Sequence, residues 1–168
     1  REMIRFGLLG AGRIGQIHGR NAAASPKGTL VAIADPFPKA AESLAKATGA
    51  EVREIDAIFT AKDIDAVLIC TPTTTHADFI ERAAKAGKAI FCEKPVDLDA
   101  KRVAKTLQIV EKSGVPLMVG FNRRFDANFG ALKARIDEGV VGNVELVTIL
   151  SRDPGAPPVS YIATSGGL

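Results

Sequence analysis

Short apolar runs and longer stretches of helical periodicity alternate along most of the chain. The runs MIRFGLL (3–9), TLVAIAD (29–35), DAVLICT (65–71), KAIFCE (88–93) and PLMVGF (116–121) are rich in apolar residues and lack a clean two-residue alternation. Strands buried on both faces of a parallel sheet have that character. AEVRE (50–54) is more polar and fits a short strand near an edge. Between the runs, the pattern predicts helices over 13–24, 37–48, 76–86 and 99–113. The last three stop at Gly49, Gly87 and Gly114, and the final one opens on Asp99 as its N-cap. In that helix Val103, Leu107 and Val110 are expected to share the face packed on the sheet. Strands alternating with helices imply right-handed crossovers and a doubly wound parallel α/β sheet.

The pattern changes near residue 121. DANFGALKARIDEGVVG (126–142) reads as a helix and turn, NVELVTILSRD (143–153) as one long strand, and PGAPPVSYIATSGGL as a Pro/Gly-rich loop. One helix and one strand cannot bury a core alone. Residues 1–121 are therefore expected to form one domain, and 122–168 the truncated beginning of a second, α+β domain.

Composition narrows the class. Of 168 residues, 46% are hydrophobic and 24% charged, as in a globular chain with a real core. No apolar run approaches the roughly 20 residues of a membrane helix. The N-terminal residues lack the basic and apolar regions of a secretory leader. The net charge is only +3, and the longest basic run is Arg123-Arg124, which argues against a nucleic-acid partner. Cys70 and Cys92 both sit inside apolar runs, as reduced buried thiols of a cytoplasmic protein would. No metal site is expected.

The candidate chemistry lies where strands end. GLLGAGRIG supplies Gly10, Gly12 and Gly15 as G-x-G-x-x-G between the first strand and the first helix, and Asp35 ends the second strand. That is the context of a dinucleotide-binding fingerprint, so the sheet is expected to be Rossmann-type. Gly10 permits the tight turn, Gly12 the approach of a pyrophosphate, and Gly15 close packing of helix on sheet. The helix N-terminus offers free N–H groups to the phosphates. Arg13 and Ile14 belong to the same contact. Asp35 suits the adenosine ribose hydroxyls and repels a 2′-phosphate, which points to NAD over NADP; Lys39 is the opposing feature. His18 reads as a helix-packing residue.

CTPTTTHADF (70–79) follows the fourth strand, on the crevice side of such a sheet. Thr71, Pro72, Thr73, Thr74, Thr75 and His76 could wrap the nicotinamide half of NAD. For His76 a solvent-exposed helix start is the competing reading. Glu93-Lys94-Pro95 ends the neighbouring strand over the same crevice.

In this order and spacing, GLLGAGRIGQIH, ADP (34–36), AVLICTPTTTH, FCEKP and GFNRRF (120–125) resemble the glucose–fructose oxidoreductase/inositol dehydrogenase (Gfo/Idh/MocA) family, over essentially the whole chain. The resemblance implies an NAD-dependent oxidoreductase acting on a cyclic polyol, foremost myo-inositol, which it would take to the 2-keto form. It implies that Lys94 reaches both substrate and nicotinamide and polarises the hydroxyl being oxidised, that Glu93 helps fix the cofactor, and that Pro95 aims Lys94 inward through a cis bond. It makes Asn122 and Arg123 substrate candidates, with Asp153 after them; Arg124 reads equally as an ion-pair partner. A homo-oligomer is also implied. The family's general base is a histidine that follows the SGG stretch, with an aspartate one helical turn before it. Neither His18 nor His76 occupies that position, so this chain is expected to bind NAD without turning substrate over. Another sugar or polyol dehydrogenase, a non-catalytic NAD(P) sensor and a stand-alone binding module remain open.

Overall fold

The computed structural model describes residues 3–152, 155–159, 161 and 162. Strands β1 (Ile4–Leu9), β2 (Gly28–Ala34), β3 (Glu51–Val52), β4 (Ala66–Ile69), β5 (Ala89–Cys92) and β6 (Leu117–Val119) form one sheet in the order β3-β2-β1-β4-β5-β6. Every pairing is parallel. The chain starts centrally at β1, steps outward to β3, then returns to β4 on the other side of β1. Where the strand order reverses, the loops after β1 and β4 part and leave a crevice.

Helices α1 (Arg13–Ala24) and α2 (Pro38–Thr48) cover one side of the sheet, and α3 (Ile55–Thr60), α4 (His76–Lys85) and α5 (Ala100–Ser113) the other. Leu8, Leu30, Ile33 and Leu68 pack with Ala41 and Leu44 of α2. Their strand neighbours Leu9, Ala34, Val67 and Ile69 pack with Ile58 of α3, Ile80 of α4 and Val110 of α5. Successive strand residues thus enter opposite cores, which is why the runs are apolar without alternation. Each fully buried Leu or Ile contributes about 1.5–3 kcal/mol. Cys70 and Cys92 are free and buried, Cys70 in one layer and Cys92 in the other. Among the described residues, no helix is long and apolar enough to cross a membrane.

Asp99 caps α5 by accepting the Lys101 N–H at 2.9 Å. The buried face of α5 differs from the expected one: Thr106 is fully buried with Val110, and Val103 packs on the core, but Leu107 is 45% exposed. Positions 103, 106 and 110 follow the i, i+3, i+7 stripe, and residue 107 lies about 100° farther round. Helix α3 escapes periodicity because it is too short to show a repeat, yet it buries Ile58 and Phe59.

After β6, Asp126 caps α6 (Ala127–Asp137) by accepting the Asn128 N–H at 2.9 Å. The expected strand over 143–153 is not formed: residues 143–152 are irregular, and Leu146 and Ile149 are 84% and 81% exposed. A strand persists when a neighbour takes its N–H and C=O groups. Among the described residues none pairs with this one.

Candidate active site

The sequence between β1 and α1 builds a turn that only small residues can follow. Gly10, at φ +89°, donates its N–H to Ala34 O at 2.8 Å, extending the β1–β2 ladder by one rung. A Cβ on Gly10 would stand 2.7 Å from Cys70 O, and one on Gly15 only 1.9 Å from Gly10 O. Helix α1 therefore lies directly against its own loop. Its N-cap is Gly12, without a side-chain cap, and its first turn carries no acidic residue. The orphan N–H groups and the positive end of the helix dipole are left for an anion. Above Gly12 a Cβ would meet nothing within 4 Å, so this end of the helix is open. An uncapped N-terminus beneath open space fits the pyrophosphate of a dinucleotide.

Asp35, just beyond β2, accepts the Ala11 N–H through Oδ2 at 2.6 Å and the Phe37 N–H through Oδ1 at 2.7 Å. These bonds aim the carboxylate, and each oxygen keeps a lone pair for a ribose hydroxyl. Lys39 is exposed on the first turn of α2.

Next to the glycine loop lies a cleft of about 810 Å³. Arg13, Ile14, Ile17 and His18 of α1 form one wall, and Thr71, Pro72, Thr73 and His76 another. Glu93, Lys94, Pro95, Asn122 and Tyr161 complete it. The threonine turn is self-pinned: the Thr71 and Thr75 hydroxyls lie 2.6 Å apart, and the Thr75 hydroxyl donates to Pro72 O at 2.8 Å. Thr75 therefore shapes the turn while Thr71 and Thr73 face the cleft.

His76 is not a solvent-exposed helix start: it is 2% exposed. Its Nδ1 lies 2.6 Å from Pro95 O and its Nε2 2.8 Å from Thr71 O. With both nitrogens engaged by main-chain carbonyls, the ring joins the two loops and keeps no donor for a ligand. His18 is likewise more than a packing residue. Its Nε2 lies 2.7 Å from Glu93 Oε1, and its ring meets Phe91 edge-on at 4.8 Å between centroids. The faces of α1 explain this. Gly15, Gly19 and Ala22 are turned to the sheet, and the flank carrying Ile14, Ile17 and His18 points over the crevice.

Glu93 Oε2 accepts the Lys94 N–H at 3.3 Å, and the Lys94–Pro95 bond is cis. The Lys94 side chain is exposed at the cleft and takes part in no ion pair among the described residues. Beneath the loops, burial, with the Glu93 charge adding to it, pushes the Cys70 thiol up to about 12. It stays protonated near neutrality and offers no nucleophile.

Asn122 lines the cleft, whereas the Arg123 guanidinium stands 5.3 Å from the Phe129 ring centroid and is not part of the lining. Asp153 lies outside the described residues. Ile17 and Tyr161 join the site without having been singled out, and His18 joins it where a packing role was expected. Ile14 and His18 share one helix face at i, i+4, a signal available once Ile14 was a candidate. Nothing local marks Tyr161.

Residues 4–121 match the Gfo/Idh/MocA model, described as an oxidoreductase family with an NAD-binding Rossmann fold. An inositol 2-dehydrogenase of Rhizobium meliloti (strain 1021) is 62% identical over 165 residues, covering 98% of this chain and 50% of that protein. A crystal structure of a myo-inositol dehydrogenase from Corynebacterium glutamicum superposes with a TM-score of 0.92 at 46% identity, covering 98% of this chain and 50% of that one. A scyllo-inositol dehydrogenase from Lactobacillus casei, with bound NAD(H) and scyllo-inositol, gives a TM-score of 0.80 at 34% identity over 84% of this chain and 43% of that one. The chain spans about half the length of the curated relatives it matches. Fingerprint, cleft and likeness agree: the chain belongs to the Gfo/Idh/MocA oxidoreductase family.

Proposed function

We propose that the protein containing this chain oxidises a cyclic polyol, foremost myo-inositol at its 2-hydroxyl, with NAD as the oxidant. The observation that carries this reading is one cleft in which Lys94, Glu93 and Asn122 meet the threonine turn and the cleft-facing flank of α1. The names of the relatives supply the polyol.

The α1 N-terminus and its glycine loop would hold the pyrophosphate, Asp35 the adenosine ribose, and Thr71, Thr73 and Glu93 the nicotinamide half. When bound, NAD supplies the hydride acceptor. The Lys94 ammonium donates to the substrate hydroxyl, and its charge gains value as that oxygen becomes alkoxide-like. Asn122 offers both a donor and an acceptor to a neighbouring hydroxyl. The negative charge of Asp35 supports NAD over NADP. Neither histidine here is available as the base: His18 is engaged with Glu93, and His76 has both nitrogens occupied. The reading includes residues 122–168 as the start of a second domain, a cytoplasmic location and a homo-oligomer.

The test is a panel of cyclic polyols and open-chain sugars with NAD and with NADP, run on the whole protein and on its Lys94→Ala variant. Turnover of inositols with NAD, lost in the variant with NAD affinity nearly unchanged, is the expected result. NAD binding with no turnover of any polyol would instead make this a dinucleotide sensor.

A further inference from the structure

The sequence contains two histidines, and in the fold they contact the residues on either side of Lys94. His18, from the helix that follows the glycine loop, holds the Glu93 carboxylate at 2.7 Å. His76, from the start of α4, holds the Pro95 carbonyl at 2.6 Å and the Thr71 carbonyl at 2.8 Å. The residue before Lys94 is thus tied to one cofactor element and the residue after it to the other. Between them the Lys94 ammonium is left unpaired among the described residues. We propose that His18 and His76 are positioning residues that bracket the Glu93–Pro95 segment and fix Lys94 against the dinucleotide site.

Three features carry this. The ring of His76 is buried to 2% exposure, and its two nitrogens lie within hydrogen-bond distance of main-chain carbonyls on the two loops, so the ring spans from one loop to the other. The His18 ring is itself held, edge-on against Phe91 of β5, so its reach to Glu93 is set by the sheet. Glu93 uses one oxygen for His18 and the other for the Lys94 amide, so the grip of His18 passes directly to the backbone of Lys94. The β4–β5 ladder ends at the Glu93 N–H, which donates to Ile69 O at 2.9 Å, and the loop is exposed at Lys94 and Pro95, so the strand does not fix the segment beyond Glu93. A loosely held Lys94 would cost rate, because misplacing a reacting group by about 1 Å can lose on the order of 10²-fold.

This inference rests on the reading of Lys94 as the catalytic lysine, and its test is built to fail separately. Amide hydrogen exchange is followed in the 168-residue chain and in its His18→Leu, His18→Gln, His76→Ala and His76→Gln variants. His18→Leu and His76→Ala are expected to speed exchange at Glu93, Lys94 and Val96 by about tenfold or more, with β1 and β4 unchanged. His18→Gln, whose amide can still donate to Glu93, should recover most of the protection. In the whole protein, the same two variants should lower kcat roughly 10–100-fold while the NAD dissociation constant moves less than about threefold. Wild-type exchange at 93–96 in both variants overturns the bracket, and so does an equal rise throughout the sheet. If His18→Leu or His76→Ala fails to fold, the glutamine variants decide by the same exchange readout. Local loosening in a protein that oxidises no polyol would retain the bracket and reject the proposed activity. Polyol turnover with undisturbed exchange would do the reverse.

Discussion

Asp35 Oδ2 accepts the main-chain N–H of Ala11 at 2.6 Å, so the carboxylate proposed to hold the adenosine ribose also braces the glycine loop. Replacing Asp35 by Ala removes the brace and the negative charge together. Hydrogen bonds to charged groups are worth about 1.5–3 kcal/mol, so NAD affinity should fall roughly 10–100-fold. NADP affinity should fall less, because the repulsion disappears as well. Adding Phe37→Arg, at an exposed neighbouring position, should raise NADP affinity further. Calorimetric titration with both nucleotides checks this; an unchanged NAD-to-NADP ratio would count against the assignment.

Two glycines of one motif should respond differently. A methyl on Gly15 collides with Gly10 O, whereas one on Gly12 meets nothing within 4 Å. Gly15→Ala should lower stability to urea by about 1–3 kcal/mol and abolish NAD binding. Gly12→Ala should leave stability within about 0.5 kcal/mol yet weaken NAD, because its methyl enters the open space proposed for the pyrophosphate. Equal loss of stability in both would contradict the geometry.

Acid should attack the contact between α4 and α5. Burial pushes the Glu81 carboxyl up, but hydrogen bonds from Arg102 and the buried Thr106 hydroxyl outweigh it and hold the carboxyl below its usual range. Its stabilisation is complete above the unfolded pKa of about 4.3 and is lost as pH falls below that value through the folded one. Glu81→Gln should cost about 1–3 kcal/mol near neutrality and flatten the decline in acid. Urea unfolding between neutral and acid pH measures both; a wild-type acid profile in the variant would reject the link.

Both cysteines should resist thiol reagents in the folded chain. They are buried, and burial pushes Cys70 up to about 12 and Cys92 up as well. Labelling should therefore follow opening of the sheet and accelerate with denaturant. Rapid labelling of either thiol under native conditions would show that its layer is looser than the structure has it.

The elements that could be read early are those whose cause is local. The runs that became β1, β2, β4 and β5 are apolar because both faces of each are covered, whereas β6, at the sheet edge, packs Leu117 and Val119 on one core and leaves Met118 45% exposed. The glycine loop was legible for the same reason, since φ at Gly10 and contact at Gly15 select the residue directly. Errors appeared where the deciding neighbour is remote in sequence. Apolar residues at 143–150 look like a strand, yet a strand is a property of a pair, and no partner exists among the described residues. Thr106 displaced Leu107 from the buried face of α5 because Glu81, on another helix, accepts its hydroxyl.

Residue order alone determined the class of sheet, the uncapped glycine turn at the head of α1, the acid at the end of β2 and the position of Lys94 at a strand end, since each follows from backbone sterics, periodicity or spacing. The roles of the two histidines were decided only when the chain folded. A side chain with two nitrogens is given its work by the partners it meets, and those partners, Glu93 for His18 and Pro95 for His76, are brought to them only by the parallel crossover from β4 to β5.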